Sequence, residues 1–377
     1  MKPARESAKE RYGDSSPRKK LWSLVAVVVV VVAGFSIYYA YEYRNQGTKQ
    51  TITVLTYSSF MKYGRNPNAT LQKIIGGFEK KYDVNVKIVY AKIGVLQTLE
   101  SPGNHSFDVV VGLTGLSGLT AISKKLLVSY RSPDDTYVSS SVLKQLGDAS
   151  NYLTPYEYSY LGIDYNRSFV KNFRPSFENL TSGTLASNLL LENPTTSSTG
   201  EEFLLWEISY YKYVLGLNWT GWWKQIKPYT AGHIFDSWGS AFNSFETGGN
   251  TNLLVSYLTD PAYNVYFGYG NGTGSQVTYH NGKAYGWRSI FTVGIVNGSK
   301  HISLDEALIN YFLSPNVQDE IPTNEWMFPA NSSTPLPPSF GAVIDQGTII
   351  PLNSFMNNTL IKEKLSEWMA EWVQVMQ

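Results

Sequence analysis

The sequence L-L-V-S-Y-L-T-D-P-A-Y, at residues 253–263, joins a short apolar run to a polar break that lies between two tyrosines. Leu253–Tyr257 is predicted to be a buried strand, because it is short, apolar and followed by a turn signal. The T-D-P that follows is predicted to end the strand, since proline has no backbone N–H to donate and restricts the residue before it. This strand end, with Tyr257 and Tyr263 on either side of the break, suits both a flat ligand and a crossing between two lobes.

Predicted strands and helices alternate upstream of this stretch. Residues 51–57, 84–90 and 108–112 have strand character, residues 71–82 have helical spacing, and residues 95–99 are predicted to begin a short helix. Strand, helix, strand, helix, strand is typical of an α/β lobe. The sequence therefore predicts an α/β protein.

A second set of elements is predicted on both sides of residues 253–263. Residues 156–165 are predicted to form a strand that passes between lobes, and residues 238–245 a helix. The remaining predicted elements are a helix at 177–180, a strand at 185–191, a helix that begins near 195–199, a loop at 266–276, strands at 277–279 and 290–296, and helices at 304–313 and 360–375.

The composition is that of a folded protein rather than of a nucleic-acid-binding or disulfide-rich one. The 377 residues are 43% hydrophobic and 16% charged, which supplies enough apolar surface for a large core. The net charge of +1 gives no support to nucleic acid as a partner, and cysteine is absent. The 10 Trp, 27 Tyr and 17 Phe are either core residues or the walls of a pocket for a ring or a cation.

The N-terminus has the charge and hydropathy pattern of a membrane anchor. Residues 1–20 are polar and basic, and residues 21–41 are almost wholly apolar. Such a run is long enough to span a bilayer as a helix, and positive charge before it predicts a cytoplasmic N-terminus. We therefore predict a cytoplasmic segment at 1–20, a single-pass anchor at 21–41, a linker at 42–50 and an extracellular remainder. A cleaved signal peptide is the alternative, although no small-x-small site follows the run.

Glycosylation sequons also favour an extracellular position. Nine N-x-S/T sequences begin at Asn68, Asn104, Asn166, Asn179, Asn218, Asn271, Asn297, Asn331 and Asn357. The sequence therefore predicts a membrane-anchored glycoprotein.

Catalytic and metal-binding signatures are missing from the sequence. It has no P-loop, G-x-S-x-G or H-E-x-x-H motif, and its 4 histidines are far apart with no carboxylate at a metal-ligand spacing. We predict a binding protein rather than an enzyme, with no cofactor and no metal. The T-S-S-T-G at 196–200 is a candidate anion site, because free N–H groups and the helix dipole favour a phosphate at a helix start. An ordinary capping box is the alternative.

Six blocks of sequence between residue 51 and the C-terminus carry a family resemblance. They are T-Y-S-S-F (56–60), D-V-V-V-G-L (108–113), P-Y-E-Y-S-Y (155–160), N-P-T-T-S-S-T-G (193–200), L-V-S-Y-L-T-D-P-A-Y (254–263) and I-P-T-N-E-W-M-F-P (321–329). In this order they resemble T-Y-D-S-F, D-V-V-L-G-L, P-F-D-Y-G-Y, D-P-R-T-S-T-P-G, L-V-L-S-Y-T-T-S-P-A-Y and I-P-T-G-N-W-M-Y-P of the thiamine-binding proteins, the solute receptors of thiamine ABC transporters.

The resemblance implies a type II periplasmic-binding-protein fold, with two α/β lobes joined by a hinge and a ligand cleft between them. Lobe 1 is expected to comprise residues 51–156 and 260–377, and lobe 2 residues 157–259. The implied ligand is thiamine, thiamine monophosphate or thiamine diphosphate, and the implied partner of the monomeric receptor is an ABC permease. The ligand contacts implied by position are Tyr57, Ser197, Trp238, Tyr257, Tyr263 and Trp326.

One segment departs from the family pattern. The family carries an acidic residue in an E-D-G segment after its second strand, and this chain has K-I-G there, with Lys92 and Ile93. A site that loses a carboxylate loses attraction for a cationic ring. Asp260, which stands where the family has serine, or Glu157 is expected to compensate.

Other functions remain open from the sequence. The fold type serves many solutes, so the ligand could instead be a polyamine, an oxyanion or a ferric ion. A carbohydrate-active surface protein would also use an aromatic cleft, but it would need two carboxylates about 5–10 Å apart across it, and the sequence shows no obvious pair. An adhesion or other structural surface protein would lack a cleft.

Overall fold

The computed structural model describes residues 49–101, 106–247 and 251–377. The chain divides into two compact units, residues 1–50 and residues 51–377, and the second unit is the one described below. The predicted cytoplasmic segment, the membrane anchor, most of the linker and the sequon at Asn104 lie outside the described residues. Within the described ranges, no helix combines the length and the apolar character needed to cross a membrane.

Strands and helices alternate over most of the second unit. The strands are β1 Thr51–Thr56, β2 Asn85–Tyr90, β3 Val109–Thr114, β4 Leu127–Val128, β5 Thr154–Asn166, β6 Leu189–Glu192, β7 Ile234–Phe235, β8 Leu253–Tyr257, β9 Thr273–Gln276, β10 Thr278–His280, β11 Lys283–Gly286, β12 Arg288–Val296, β13 Phe328–Pro329 and β14 Ile349–Pro351. The α-helices are α1 Pro67–Tyr82, α2 Val95–Glu100, α3 Gly115–Ser123, α4 Ser140–Leu146, α5 Phe177–Leu180, α6 Gly183–Ala186, α7 Ser198–Ser209, α8 Thr220–Ile226, α9 Trp238–Glu246, α10 Asp260–Phe267, α11 Ile302–Phe312, α12 Pro315–Gln318, α13 Ile321–Asn324 and α14 Asn358–Met376.

One long mixed sheet organises the unit, and the predicted α/β class is confirmed. Its strand order is β2-β1-β3-β12-β5-β8-β6-β7, with β4, β9 and β13 paired to strands of this path. The pairs β1–β2, β1–β3, β6–β8 and β6–β7 are parallel, whereas β12 pairs antiparallel with both β3 and β5. A smaller sheet has the order β10-β11-β14.

The long strand β5 connects the two parts of the large sheet. Its residues 154–160 pair with β12, and its residues 161–165 pair with β8. We call β2, β1, β3 and β12 the first half of the sheet, and β8, β6 and β7 the second half. β9 pairs with residues 163–166 of β5, although β9 lies in the segment 260–377 that is expected to belong to lobe 1. The predicted division into lobes stays a prediction.

Side-chain caps fix several helix starts. Asn66 accepts a hydrogen bond from Ala69 N at the start of α1, and Pro67 occupies the first helical position, where it needs no N–H partner. Ser197 caps α7 and Ser237 caps α9 in the same way. The predicted helix starts near 195–199 and at 238 are therefore confirmed.

Three predicted elements need correction. T-D-P ends β8 as expected, but Asp260 and Pro261 then begin α10, because proline is favoured in the first turn of a helix. The predicted loop at 266–276 is shorter, since α10 runs to Phe267 and β9 begins at Thr273. The predicted strand at 185–191 begins only at Leu189, because α6 occupies the residues before it.

Aromatic residues form much of the core. Phe177 packs edge-on against Trp206 and Trp222, with ring centroids 5.5 and 5.4 Å apart. The indole N–H of Trp222 donates to the Phe177 carbonyl at 2.7 Å, so this buried polar group is satisfied. Many of the aromatic residues therefore pack in the core, and only the remainder can line a pocket.

Candidate functional site

A cavity of about 760 Å³ opens where residues from both halves of the sheet meet. It is lined from the first half by the residues that follow β1, and from the second half by the starts of α7, α9 and α10. The structure brings all seven predicted site residues to this cavity, and they are Tyr57, Ser197, Trp238, Tyr257, Asp260, Tyr263 and Trp326. Their role in binding stays a prediction.

Trp238, the first residue of α9, offers a half-buried indole ring to the cavity. Its ring stacks on Phe242 with a centroid distance of 4.9 Å and an interplanar angle of 25°. The ring of Tyr63 meets it edge-on at 5.8 Å, and that of Tyr257 lies 6.0 Å away. Tyr257 is 8% exposed, and its hydroxyl lies 3.2 Å from the Thr199 hydroxyl. These contacts hold the rings in place before any ligand arrives.

A second aromatic group surrounds Trp326. Tyr263 meets its indole ring edge-on at a centroid distance of 5.3 Å, and Tyr266 lies 5.1 Å from it. The indole N–H donates to the Tyr63 carbonyl at 3.1 Å. Trp326 has φ 58, a left-handed conformation that costs a bulky side chain energy and is common at ligand sites.

The Tyr57 hydroxyl lies between two carboxylates. It is 2.9 Å from Glu325 Oε2 and 3.2 Å from Glu157 Oε1. Gly112 permits this placement, because a Cβ there would lie 2.2 Å from the Tyr57 ring. Burial raises the pKa of Glu157 well above its ordinary value, and the negative charge of Glu325 raises it further. Burial likewise raises the pKa of Glu325 to about 8.

A second pair of acidic groups lies beside Trp238. Its indole N–H donates to Ser256 Oγ at 2.8 Å, and the Ser256 hydroxyl in turn donates to Asp260 Oδ2. Burial raises the pKa of Asp260 to about 6, and the hydrogen bonds that it accepts from the Ser256 hydroxyl and the Tyr257 N–H limit the rise. Burial raises the pKa of Asp164 well above its usual range, and the charge of Asp260 adds to this. Asp164 is 1% exposed and lines the cavity.

Acidic side chains dominate the described part of the cavity wall. Its acidic residues are Glu157, Asp164, Glu201, Asp236, Glu246, Asp260 and Glu325. The single basic residue among the described lining residues is Lys92, which is exposed. Ile93, which stands at the position of the family's acidic residue, lines the cavity and is 61% exposed. The wall is therefore suited to a cation with aromatic character.

Two carboxyl groups lie at the start of α7: Glu201 belongs to its first turn, and Asp236 is the residue that follows β7. Ser197 Oγ accepts the Gly200 N–H at 3.4 Å, as a capping residue does. Asp236 Oδ1 lies 3.4 Å from the Thr196 hydroxyl and 3.3 Å from Asn193 Nδ2. Glu201 lies in the first turn, and burial raises its pKa to about 7.

The family model described as bacterial extracellular solute-binding protein matches residues 64–319. The chain belongs to the bacterial extracellular solute-binding proteins. This covers most of the second unit and the lining residues between Lys92 and Phe291.

Relatives of this solute-binding protein include receptors named for thiamine. The thiamine-binding periplasmic protein of Brucella suis biovar 1 (strain 1330) is 27% identical over 337 residues, which is 86% of this chain and 92% of the relative. That of Escherichia coli (strain K12) is 26% identical over 328 residues, 86% of this chain and 93% of the relative. A solved periplasmic thiamin binding protein superposes with a TM-score of 0.73 at 21% identity, over 88% of this chain and 98% of that one, and so shares the fold.

Sequence reasoning missed several acidic residues of this solute-binding protein's cavity. Glu325 stands next to Trp326 in a block that resembles the family, at a position where the family has asparagine, so a signal was present. Asp164 was visible as an acid inside an apolar strand, a pattern that needs a partner or a function. Glu246 gave no signal, because only the fold brings it to the cavity. In residues 49–101, 106–247 and 251–377, no group of three or more His, Cys, Asp or Glu could hold a metal ion.

Proposed function

We propose that this protein is a membrane-tethered extracellular receptor that captures thiamine, or a phosphorylated form of it, and delivers it to an ABC permease. The observation that carries the proposal is a cavity in which aromatic faces and buried carboxyl groups stand together. The receptors named for thiamine among the relatives support it.

The chemistry of thiamine fits these groups. Its thiazolium ring is cationic and its aminopyrimidine ring is flat, so both can stack on aromatic side chains, with each cation–π contact contributing about 0.5–2 kcal/mol. Trp238, Tyr257, Tyr263 and Trp326 would supply the faces. Glu157 and Glu325 beside Tyr57, with Asp260 on the opposite half, would supply the countercharge by releasing their protons when the cation binds. This arrangement would compensate for the missing acid at Ile93.

The proposed mechanism is binding with lobe closure and no covalent chemistry. We infer a type II periplasmic-binding-protein arrangement, in which β5 passes between the lobes and carries the hinge. Because the cavity receives Tyr57 from one half of the sheet and Trp238 from the other, a ligand that contacts both would favour the closed form. The receptor would act as a monomer and be held at the cell surface by residues 21–41, with glycans on the exposed sequons.

The decisive measurement is calorimetric titration of the protein with thiamine, thiamine monophosphate, thiamine diphosphate and spermidine. The proposal expects at least one thiamine form to bind with Kd below about 10 μM, which corresponds to roughly −7 kcal/mol. Weaker binding of every thiamine form would refute the proposed ligand and leave the family assignment intact.

A polyamine receptor is the second candidate function. The number and spread of acidic side chains around the cavity favour it, because a polyamine carries several separated positive charges. Tight binding of spermidine with no binding of thiamine would select this function.

A carbohydrate-active enzyme fits the acidic pairs less well. A glycosidase leaves room for the glycosidic oxygen between its two carboxyl groups. Here the Tyr57 hydroxyl occupies the space between Glu157 and Glu325 and contacts both.

A further inference from the structure

The start of α7 is the place in the cavity where a phosphate group of the ligand would be expected. Helix starts favour anions because their first N–H groups lack intrahelical partners and the helix dipole is positive there. In this helix, Ser197 Oγ already accepts the Gly200 N–H. Gly200 itself lies close to the end of β6, since a Cβ there would be 2.6 Å from the Glu192 carbonyl oxygen. The first turn is thus already capped and closely packed.

Two carboxyl groups flank this helix start on the cavity side. Asp236 Oδ1 lies within hydrogen-bond distance of the Thr196 hydroxyl and of Asn193 Nδ2, so its negative charge is held beside the loop that leads into α7. Glu201 follows in the first turn of the helix. Both residues line the cavity. Asp236, and Glu201 in its ionised form, supply the negative charge that a helix start prefers, and both line the cavity there.

Positive charge to offset them is scarce nearby. Lys92, the basic residue among the described lining residues, is exposed and follows β2 in the first half of the sheet, whereas α7 belongs with the second half. A phosphate monoester carries about −1.5 to −2 charges at pH 7. Such a group would be repelled by Asp236 and by the ionised fraction of Glu201, because burial raises the pKa of Glu201 to about 7 and leaves it partly protonated at pH 7.

From this charge arrangement we infer that the cavity selects an unphosphorylated organic cation and rejects its phosphate esters, with Asp236 and Glu201 as the specificity-determining residues. This inference rests on the proposed function and sharpens it, because it chooses free thiamine over thiamine monophosphate and diphosphate. The selection is negative: it comes from repulsion of the wrong ligand rather than from an added contact with the right one.

The test compares the affinities of thiamine and thiamine monophosphate by calorimetry for the same proteins. Wild type is expected to bind thiamine at least about tenfold more tightly than the monophosphate, a ratio that corresponds to about 1.4 kcal/mol. The variant Asp236→Asn/Glu201→Gln is expected to narrow this ratio to about threefold or less. Glu363→Gln, an exposed acid on α14 outside the cavity lining, is the matched control and should leave the ratio unchanged.

Salt provides an independent readout, and thermal unfolding checks that each variant is folded. Because Asp236 is exposed, salt screens its repulsion of the phosphate. The preference of wild type for thiamine over the monophosphate should therefore decrease when the salt concentration is raised from 50 mM to 500 mM. Equal affinity of wild type for both ligands would overturn the inference, as would an unchanged ratio in the folded double variant. If wild type binds neither thiamine nor thiamine monophosphate, both the proposed function and this inference fail. If wild type binds both ligands equally well, only this inference fails and the proposed receptor function remains supported.

Discussion

Trp238 is held by contacts on several sides before a ligand enters. Phe242 stacks on its ring, Tyr63 meets it edge-on, and Ser256 accepts its N–H. A ring fixed in this way loses little conformational freedom on binding. We therefore expect Trp238→Ala to weaken thiamine binding by about 1–2 kcal/mol, or roughly 5- to 30-fold in Kd, as measured by calorimetry.

The control for this substitution is Tyr137→Ala. Tyr137 is an aromatic residue that is 49% exposed and lies outside the cavity lining, so its removal should leave Kd unchanged. If Trp238→Ala loses folded protein in proportion to its loss of binding, the ring acts by packing and not by contact with the ligand.

Glu325 links ligand binding to protons. Burial raises its pKa from the reference value of 4.5 to about 8, so between these values the folded protein holds a proton that the unfolded chain releases. The stability of the free protein should therefore fall as pH rises through this window. A cationic ligand favours the ionised carboxylate, so its affinity should rise over the same window and its binding should release protons.

Two measurements test Glu325. Thermal unfolding from pH 5 to pH 8 follows stability within the window of about 4.5 to 8. Calorimetric titration with thiamine in buffers of different ionisation heats counts the protons released on binding. In Glu325→Gln we expect a flatter loss of stability with pH, by on the order of 1–2 kcal/mol across the window, and fewer protons released per ligand bound. The slope does not vanish, because burial also raises the pKa values of Glu157, Asp164 and Asp260. An identical pH profile in both proteins would exclude Glu325 as the titrating group.

At the residue scale, the sequence predicts the aromatic part of the cavity better than its acidic part. Tyr57, Tyr257 and Trp326 lie in blocks that resemble a family, and those blocks fix their places. The pairing of Glu157 with Glu325 depends on β5 and the end of α13 meeting at the Tyr57 hydroxyl. Local pattern holds no information about contacts between residues so far apart in the chain.

At the element scale, the start of α7 shows how one side chain defines a helix. Ser197 Oγ accepts the Gly200 N–H, and an N-cap hydroxyl contributes about 1 kcal/mol. We expect Ser197→Ala to lower the free energy of unfolding by about this amount in urea denaturation. Because the hydroxyl is engaged in the cap, Kd for thiamine should change less than about threefold.

The comparison for this element is Ser139→Ala. Ser139 caps α4, where its side chain accepts from Ser141 N, and it does not line the cavity. Similar losses of stability in the two variants would support a purely capping role for Ser197. A tenfold loss of thiamine affinity in Ser197→Ala alone would contradict it and assign the hydroxyl to the ligand.

Elements with a strong period or a cap signal are predictable here, whereas short elements are not. β1 and α1 follow from alternating β-branched residues and from apolar residues at helical spacing. The T-D-P at 259–261 carries two meanings, since proline both ends a strand and opens a helix, and only the packing of α10 decides between them. The four-residue helix α6 has too few residues for a periodic signal, so the sequence predicts a strand at 185–191 that overlaps its last two residues.

At the scale of the whole molecule, the sheet explains why a ligand should change the shape of the protein. β5 belongs to both halves, and the cavity opens between residues that follow β1 and residues at the start of α9. Under the proposed mechanism, a ligand that contacts Tyr57 and Trp238 together favours the form in which the halves meet, as they do here where the Tyr63 ring lies 5.8 Å from that of Trp238.

We therefore expect saturating thiamine to reduce the radius of gyration measured by small-angle X-ray scattering, with occupancy established by calorimetry on the same sample. Glu363→Gln should show the same reduction as wild type, because Glu363 is exposed and lies outside the cavity lining. Trp238→Ala at equal occupancy should show a smaller reduction in the radius of gyration. The ligand then has one contact fewer with the second half of the sheet, so it favours the closed form less strongly. An unchanged radius of gyration in a fully occupied wild-type sample would mean that the cavity is already formed for its ligand, and β5 would then act as a rigid connection rather than a hinge.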